Sequence, residues 1–180
     1  MKIILINGLA QSGKTTTSHF IRDYYKSKDE VAISTSLAKY IKMYARELTD
    51  WDGKEETKPR AILQGLGSVI RDTLGKDDFL CRRLEEDIEL YALFSNITII
   101  DDARLHKEIE YFKKRYSQKV IVFHITRPNY ESNLSAEEKG HITEQGLDNY
   151  DNCDYTIVND GTLCDLKHKV YELCERIDEK

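Results

Sequence analysis

The segment Gly8-Leu9-Ala10-Gln11-Ser12-Gly13-Lys14-Thr15 satisfies G-x-x-x-x-G-K-[ST] and restricts the chain more than any other feature. A loop of this kind has to join a strand to a helix. Its glycines let the backbone curl until N–H groups point inward, and the helix that follows adds the positive end of its dipole. The flanks meet that demand: Ile3 to Ile6 reads as a buried strand, and a helical segment carrying Phe20, Ile21 and Tyr24 follows. In this context the motif is a triphosphate site. Gly8, Gln11, Ser12, Gly13 and Thr16 build the loop around ATP, Lys14 reaches the β- and γ-phosphates, and the Thr15 hydroxyl joins Mg²⁺.

The remaining strands are expected at Val31 to Ser34, Ile97 to Ile100, Val120 to Ile125 and Tyr155 to Val158. Helical periodicity separates them, as in Leu37, Ile41, Tyr44, Leu48, in Leu80, Leu84, Ile88, Tyr91, and in Leu163, Leu166, Val170, Leu173, Ile177. Strands apolar along their whole length, alternating with helices, predict an α/β fold: a P-loop three-layer sandwich with a five-stranded parallel sheet, order 2-3-1-4-5, and helices on both faces. Ligands bind such sheets beyond the carboxyl ends of the strands. Two stretches break the alternation. One single domain is therefore expected, with a core of residues 1–56, 95–128 and 151–180, a helical acceptor-binding insertion at about 57–94 and a lid at about 129–150.

Composition removes several classes of function. A net charge of −5 argues against a nucleic-acid partner, which needs a basic face. No apolar run approaches the roughly 18 residues of a membrane span, so no membrane partner is expected. The opening Met1 to Gly8 is too short for a secretory signal, and Cys81, Cys153, Cys164 and Cys174 show neither metal-ligand spacing nor a disulfide pattern. Reduced thiols and a cytoplasmic location follow as expectations.

Two further segments carry chemistry. Ile97-Thr98-Ile99-Ile100-Asp101-Asp102 is a buried strand ending in two carboxylates, where a phosphoryl-transfer site needs an acid for Mg²⁺ or for the acceptor's proton. Alternation along a strand allows one of the two to face the phosphates. Both could instead cap the helix that begins near Leu105. In Arg60 to Arg71, the residues Arg60, Gln64, Gly67 and Arg71 form a row at near-helical spacing opposite Ile62, Leu63, Leu66, Val69 and Ile70. Two arginine forks and an amide suit the phosphate and base of a nucleoside monophosphate, and Gly67 permits close approach. A solvated helix face is the other reading of that row.

In order along the chain, Gly8 to Thr16, Ser36-Leu37-Ala38-Lys39, Arg60 to Arg71, Asp102-Ala103-Arg104 with Glu108, and His141-Ile142-Thr143-Glu144 followed by Asn159-Asp160-Gly161-Thr162-Leu163 resemble the bacteriophage and bacterial deoxynucleoside monophosphate kinase family, within the P-loop nucleoside monophosphate kinase group. The resemblance implies ATP-dependent phosphoryl transfer to a (deoxy)nucleoside monophosphate. It assigns Lys14, Asp102, Arg104 and Arg127 to catalysis, and Thr15, Asp101 and Asp102 to the metal. Ser36, Lys39, Arg60, Gln64, Gly67, Arg71, Arg104 and Glu108 fall to the acceptor, with His141 and Glu144 from the lid, and Asn159 and Gly161 to the adenine side of ATP. It leaves room for a homodimer. The chain departs from the group in having no arginine between Asn129 and Tyr150. Lys14, Arg104 and Arg127 then have to supply the countercharge. Related kinases act on phosphomevalonate or dephospho-coenzyme A, and a nucleotide-binding switch would need no second phosphate pocket.

Overall fold

Along the first strand every side chain from Ile3 to Ile6 is fully buried, because the two faces of the sheet are both covered. Ile3 and Leu5 enter one apolar cluster, Ile4 and Ile6 the other. Each such side chain removed from water contributes about 1.5–3 kcal/mol, which is why the run shows no polar alternation. The computed structural model describes residues 1–128, 130 and 152–179. The segment expected to form the lid lies largely outside them.

The elements run β1 (Lys2–Asn7), α1 (Lys14–Lys26), β2 (Ala32–Thr35), α2 (Lys39–Thr49), α3 (Arg60–Ser68), a π-helical turn (Val69–Thr73), α4 (Phe79–Tyr91), β3 (Ile97–Ala103), α5 (His106–Tyr116), β4 (Val120–Thr126), β5 (Tyr155–Val158) and α6 (Leu163–Asp178). The five strands are parallel in the order β2-β3-β1-β4-β5, the predicted topology. Helices α1 and α6 cover one face through Ile21, Tyr24, Tyr25, Leu166, Val170 and Ile177. On the other face α5 contributes Ile109 and Phe112, and α4 contributes Cys81, Leu84 and Ile88. Thus α4, grouped by sequence with the acceptor segment 57–94, is also a layer of the core. No residue of α3 is buried. No helix among the described residues is long and apolar enough to cross a membrane.

Two local features position the site. In β3 the register with β1 slips: Leu5 pairs with Ile100, but Asn7 pairs with Ala103, so Asp101 and Asp102 oppose a single residue of β1. Such a bulge re-aims side chains that regular alternation would send to opposite faces. At the start of α6, Thr162 Oγ1 accepts from Asp165 N at 3.2 Å while Asp165 Oδ2 accepts from Thr162 N at 2.8 Å, a capping box that fixes the turn after β5.

The far end of α6 is tied down by one carboxylate. Asp178 accepts from Lys2 Nζ at 3.0 Å, Lys28 Nζ at 3.1 Å, Tyr25 Oη at 3.1 Å and Tyr24 Oη at 3.2 Å. Partial burial opposes its ionisation, but the bonds from Lys2, Lys28 and Tyr25 outweigh this and hold its carboxyl below the usual range. Asp178→Ala leaves the buried Tyr25 hydroxyl unpaired, so a loss of about 2 kcal/mol, or about 4–8 °C in Tm, is expected. Because the folded pKa is depressed, this contribution is present above the unfolded carboxylate pKa of about 3.9 and disappears as pH falls below it. Melting curves of the two proteins should therefore converge near pH 3 and separate by pH 6.

Candidate active site

The P-loop closes over the carboxyl end of β1. Gly8 has φ +143 and Gly13 φ +110, conformations that side-chain-bearing residues rarely adopt. A Cβ on Gly8 would stand 2.3 Å from the Ile125 carbonyl oxygen, and one on Gly13 would stand 2.8 Å from Asn159 Nδ2. Asn159, at the end of β5, donates from Nδ2 to Ser12 O at 2.9 Å. The turn after β5 therefore grips the loop from its outer side. Lys14 is 7% exposed, and its ammonium donates to Gly8 O at 2.8 Å and Leu9 O at 2.6 Å. Burial, then the charge of Arg104, pull its pKa down to about 7, against the opposing pull of Asp102 and Asp101.

A cavity of about 770 Å³ opens beyond the strand ends. Gly13, Lys14, Thr15 and Thr16 line it together with Gln11, Asn159 and Gly161. Arg60, Gln64, Gly67 and Arg71 line the same cavity, and Asp101, Asp102, Arg104, Glu108 and Arg127 also border it. The P-loop and the row read from the α3 periodicity thus share one space. Gly8 and Ser12 are not in its wall: Gly8 lies against Ile125, and Ser12 is buried within the loop. Their part is to shape the loop.

Because of the bulge both acidic residues of β3 border the cavity, where alternation predicted one. Asp101 accepts a hydrogen bond from Thr15; burial, then the charge of Asp102, raise its pKa to about 6, while Lys42 and Thr15 oppose the rise. Asp102 is committed elsewhere, with Oδ1 accepting from Leu37 N at 2.6 Å and Oδ2 from Ala38 N at 3.1 Å. It holds the loop that opens α2. The helix it secures is α2, not the helix beginning near Leu105, whose start is held by Glu108. That carboxylate accepts from Arg104 N at 2.8 Å and Leu105 N at 2.9 Å, and burial lifts its pKa to about 7 against those two bonds. Burial also lowers the pKa of Arg104, while Asp102 and Glu108 support its charge.

The two arginines of that row are held by carboxylates. Arg60 pairs with Glu55. Arg71, set on the π-helical turn, donates Nε to Asp72 Oδ1 at 2.8 Å and Nη2 to Asp72 Oδ2 at 3.1 Å. π-Turns recur at functional sites because they offset the face a helix presents. Arg127 lies over the Tyr130 ring at 3.9 Å and reaches Gln11 O at 3.4 Å.

Ser36 and Lys39 line a second cavity, of about 330 Å³, rather than the first. Lys39 Nζ is bound there to Asp87 Oδ2 at 3.0 Å and Tyr91 Oη at 3.2 Å, which directs it away from the Arg60 row. His141 and Glu144 lie outside the described residues. Sequence reasoning missed Lys42, Glu55, Lys58 and the Lys107–Asp77 ion pair at 2.7 Å, all on the larger cavity. Lys42 stood three residues after Lys39 on the same helix, which was the available signal.

The residues fit Mg²⁺ in the way small, strongly hydrated cations are held in phosphoryl-transfer sites, by a hydroxyl and a carboxylate with water and phosphate oxygens completing six ligands. Thr15 and Asp101, hydrogen-bonded to one another, are the hydroxyl and carboxylate here that could hold such an ion.

Among solved structures the fold is similar to the APS kinase of Mycobacterium tuberculosis in complex with AMPPNP and APS, at 12% identity, TM-score 0.57 and 97% coverage of each chain. It is also similar to shikimate kinase from Aquifex aeolicus vf5, at 13% identity and TM-score 0.52, covering 99% of this chain and 98% of that one. Shikimate kinase from Bacteroides thetaiotaomicron gives 14% identity and TM-score 0.52, with 99% of each chain covered. At such identities these likenesses speak for the fold alone. No curated protein sequence matches significantly. The family described as deoxynucleotide monophosphate kinase matches residues 34–170, well over half of the chain. With a P-loop before that stretch and the sheet order of the P-loop kinases, the chain belongs to the deoxynucleotide monophosphate kinase family.

Proposed function

We propose that the protein transfers the γ-phosphoryl group of ATP to a (deoxy)nucleoside monophosphate, giving the diphosphate and ADP. The observation that carries this reading is one cavity lined both by the P-loop and by Arg60, Gln64, Gly67 and Arg71, with Asp101 and Arg104 on its wall. A switch has no use for a second row of arginines.

In the mechanism we infer, the P-loop backbone and Lys14 orient the triphosphate, and Arg60 and Arg71 leave Glu55 and Asp72 to take the acceptor's phosphate. Thr15 and Asp101 would hold Mg²⁺, which when bound would supply charge neutralisation to the phosphates. Arg104, kept in place by Glu108, and Arg127 counter the charge that spreads over the equatorial oxygens. Most of the acceleration comes from holding donor and acceptor in line and from fixed positive charge in a space closed to water. Asp102 acts through the α2 loop, not on the substrate. A coupled ADP-release assay over ribo- and deoxynucleoside monophosphates, phosphomevalonate and dephospho-coenzyme A tests the reading. A nucleoside monophosphate is expected to stimulate release most, and stimulation only by one of the other two would replace it.

Gly67 offers a sharper check. It sits in a helix, where glycine costs about 1 kcal/mol relative to alanine, yet a Cβ there would meet only Ile41 Cδ1 at 3.7 Å. The protein has no packing need for the missing side chain, whereas a base lying on the helix would. Gly67→Ala should raise Tm by about 2–4 °C and raise the acceptor KM about tenfold. Gly65, outside the cavity and with nothing within 4 Å of a Cβ, is the control: Gly65→Ala should gain the same stability with unchanged kinetics. Equal kinetic behaviour of the two variants would remove Gly67 from the acceptor pocket.

A further inference from the structure

Lys42 is a cation of the cavity wall that sequence did not single out and that forms no ion pair among the described residues. On the larger cavity Lys58 and Arg60 are both paired with Glu55, Arg71 with Asp72, and Lys107 with Asp77. Those charges are offset within the protein. Lys42 makes one hydrogen bond, from Nζ to Ser36 Oγ at 3.3 Å, and forms no ion pair among the described residues. It is half-buried, so it is not a solvated surface lysine. It lines both cavities, and Asp101 is the one other residue that does. Lys42 and Asp101 therefore share the stretch of wall common to the two cavities.

Its placement follows from the fold. Asp102 grips Leu37 N and Ala38 N, and Lys42 N bonds to Ala38 O at 2.8 Å, so Lys42 lies one helical turn beyond the anchored residues. Ile41 and Ala45, on either side in sequence, are buried and prevent α2 from rotating. A half-buried ammonium held in no ion-pair contact gains more from an arriving anion than a fully solvated surface lysine does. The chain also has no arginine between Asn129 and Tyr150 to close over the phosphates.

We propose that Lys42 is a further phosphate-binding residue of the reaction centre, contacting oxygens of the γ-phosphoryl group from the Asp101 side of the cavity. This rests on the kinase reading for its catalytic consequence but not for its binding consequence. No bond to Lys42 forms or breaks; its ammonium donates hydrogen bonds to the oxygens in flight.

The test compares wild type, Lys42→Met, which keeps the stem and removes the charge, and Lys42→Arg. Calorimetry with inorganic tripolyphosphate, which carries a γ-phosphate and no base, is expected to show about a tenfold loss of affinity in Lys42→Met. ADP, which has no γ-phosphate, should bind all three within about twofold. Nucleotide-dependent turnover should fall about 100-fold in Lys42→Met and recover in part in Lys42→Arg. A merely structural role would weaken ADP and tripolyphosphate together. Equal tripolyphosphate affinity in wild type and Lys42→Met would overturn the proposal, as would equal loss for both ligands. If wild type turns over no nucleoside monophosphate, the proposed function falls, and the tripolyphosphate comparison still decides on Lys42.

Discussion

Lys14→Met is expected to lower phosphoryl transfer by about 10³-fold while raising the Tm of the ligand-free protein by several degrees at neutral pH. Both effects come from one group. The ammonium is almost fully buried, and burial with the charge of Arg104 pulls its pKa from 10.5 to about 7. In the unfolded chain the lysine keeps its ordinary pKa, so between about pH 7 and 10.5 the unfolded state binds the extra proton and stability rises with pH. Below pH 7 the penalty is present in full. Methionine has no charge to desolvate, and the Gly8 and Leu9 carbonyls it leaves behind can turn to water. The gap in Tm between variant and wild type should be widest below pH 7 and should close toward pH 10. Parallel Tm profiles across that range, or turnover within tenfold of wild type, would remove this account of Lys14.

The second large effect separates two neighbouring carboxylates. Asp101→Asn and Asp102→Asn should each reduce turnover by about 100-fold or more, and should move stability in opposite directions. Asp101 is a carboxylate whose folded pKa is raised to about 6, by burial and by Asp102. Its unfolded pKa lies lower, so the folded state loses stability as pH rises between the two values, and asparagine relieves this above pH 6. Asp102 instead accepts two backbone N–H bonds at the start of α2. An amide can accept with only one of its two ends, so one N–H is left unpaired at a cost of about 1–3 kcal/mol, or about 2–12 °C in Tm. Melting curves at pH 7.5 decide it: Asp101→Asn above wild type and Asp102→Asn below. The same sign for both would mean that the division of labour at the bulge is misassigned.

That bulge marks where sequence reasoning stopped. Alternation along a strand is a sound rule, and from it one of Asp101 and Asp102 had to turn away. The register slip against β1 cancels the rule locally, and a bulge depends on what the partner strand does, which no run of residues in β3 announces. The placement of Ser36 and Lys39 on the smaller cavity was hidden for a related reason. Their motif was readable, but Lys39 is captured by Asp87 and Tyr91 of α4, some fifty residues away, and so belongs to the smaller cavity. The Arg60 to Arg71 row stays together on one cavity because residues three and four apart on a helix share a face whatever the helix packs against. Even there the π-helical turn at Val69–Thr73 lies between Gly67 and Arg71, and periodicity alone did not foresee it.

By itself the sequence determined the strand–loop–helix at the P-loop, the parallel sheet with its order, the kinase family and the row from Arg60 to Arg71. All of these rest on contacts near in sequence or on the hydrophobic pattern of whole elements. Only the tertiary structure decided that Asp101 faces Thr15 while Asp102 anchors α2, that Glu108 holds the backbone of Arg104, and that Lys42 stands at the cavity wall outside any ion pair of the described residues. Asp101 with Thr15 and Asp102 with the start of α2 are pairings between residues far apart in the chain, and the burial that shifts Asp101, Arg104 and Glu108 exists only once the sheet and its helices have closed around them.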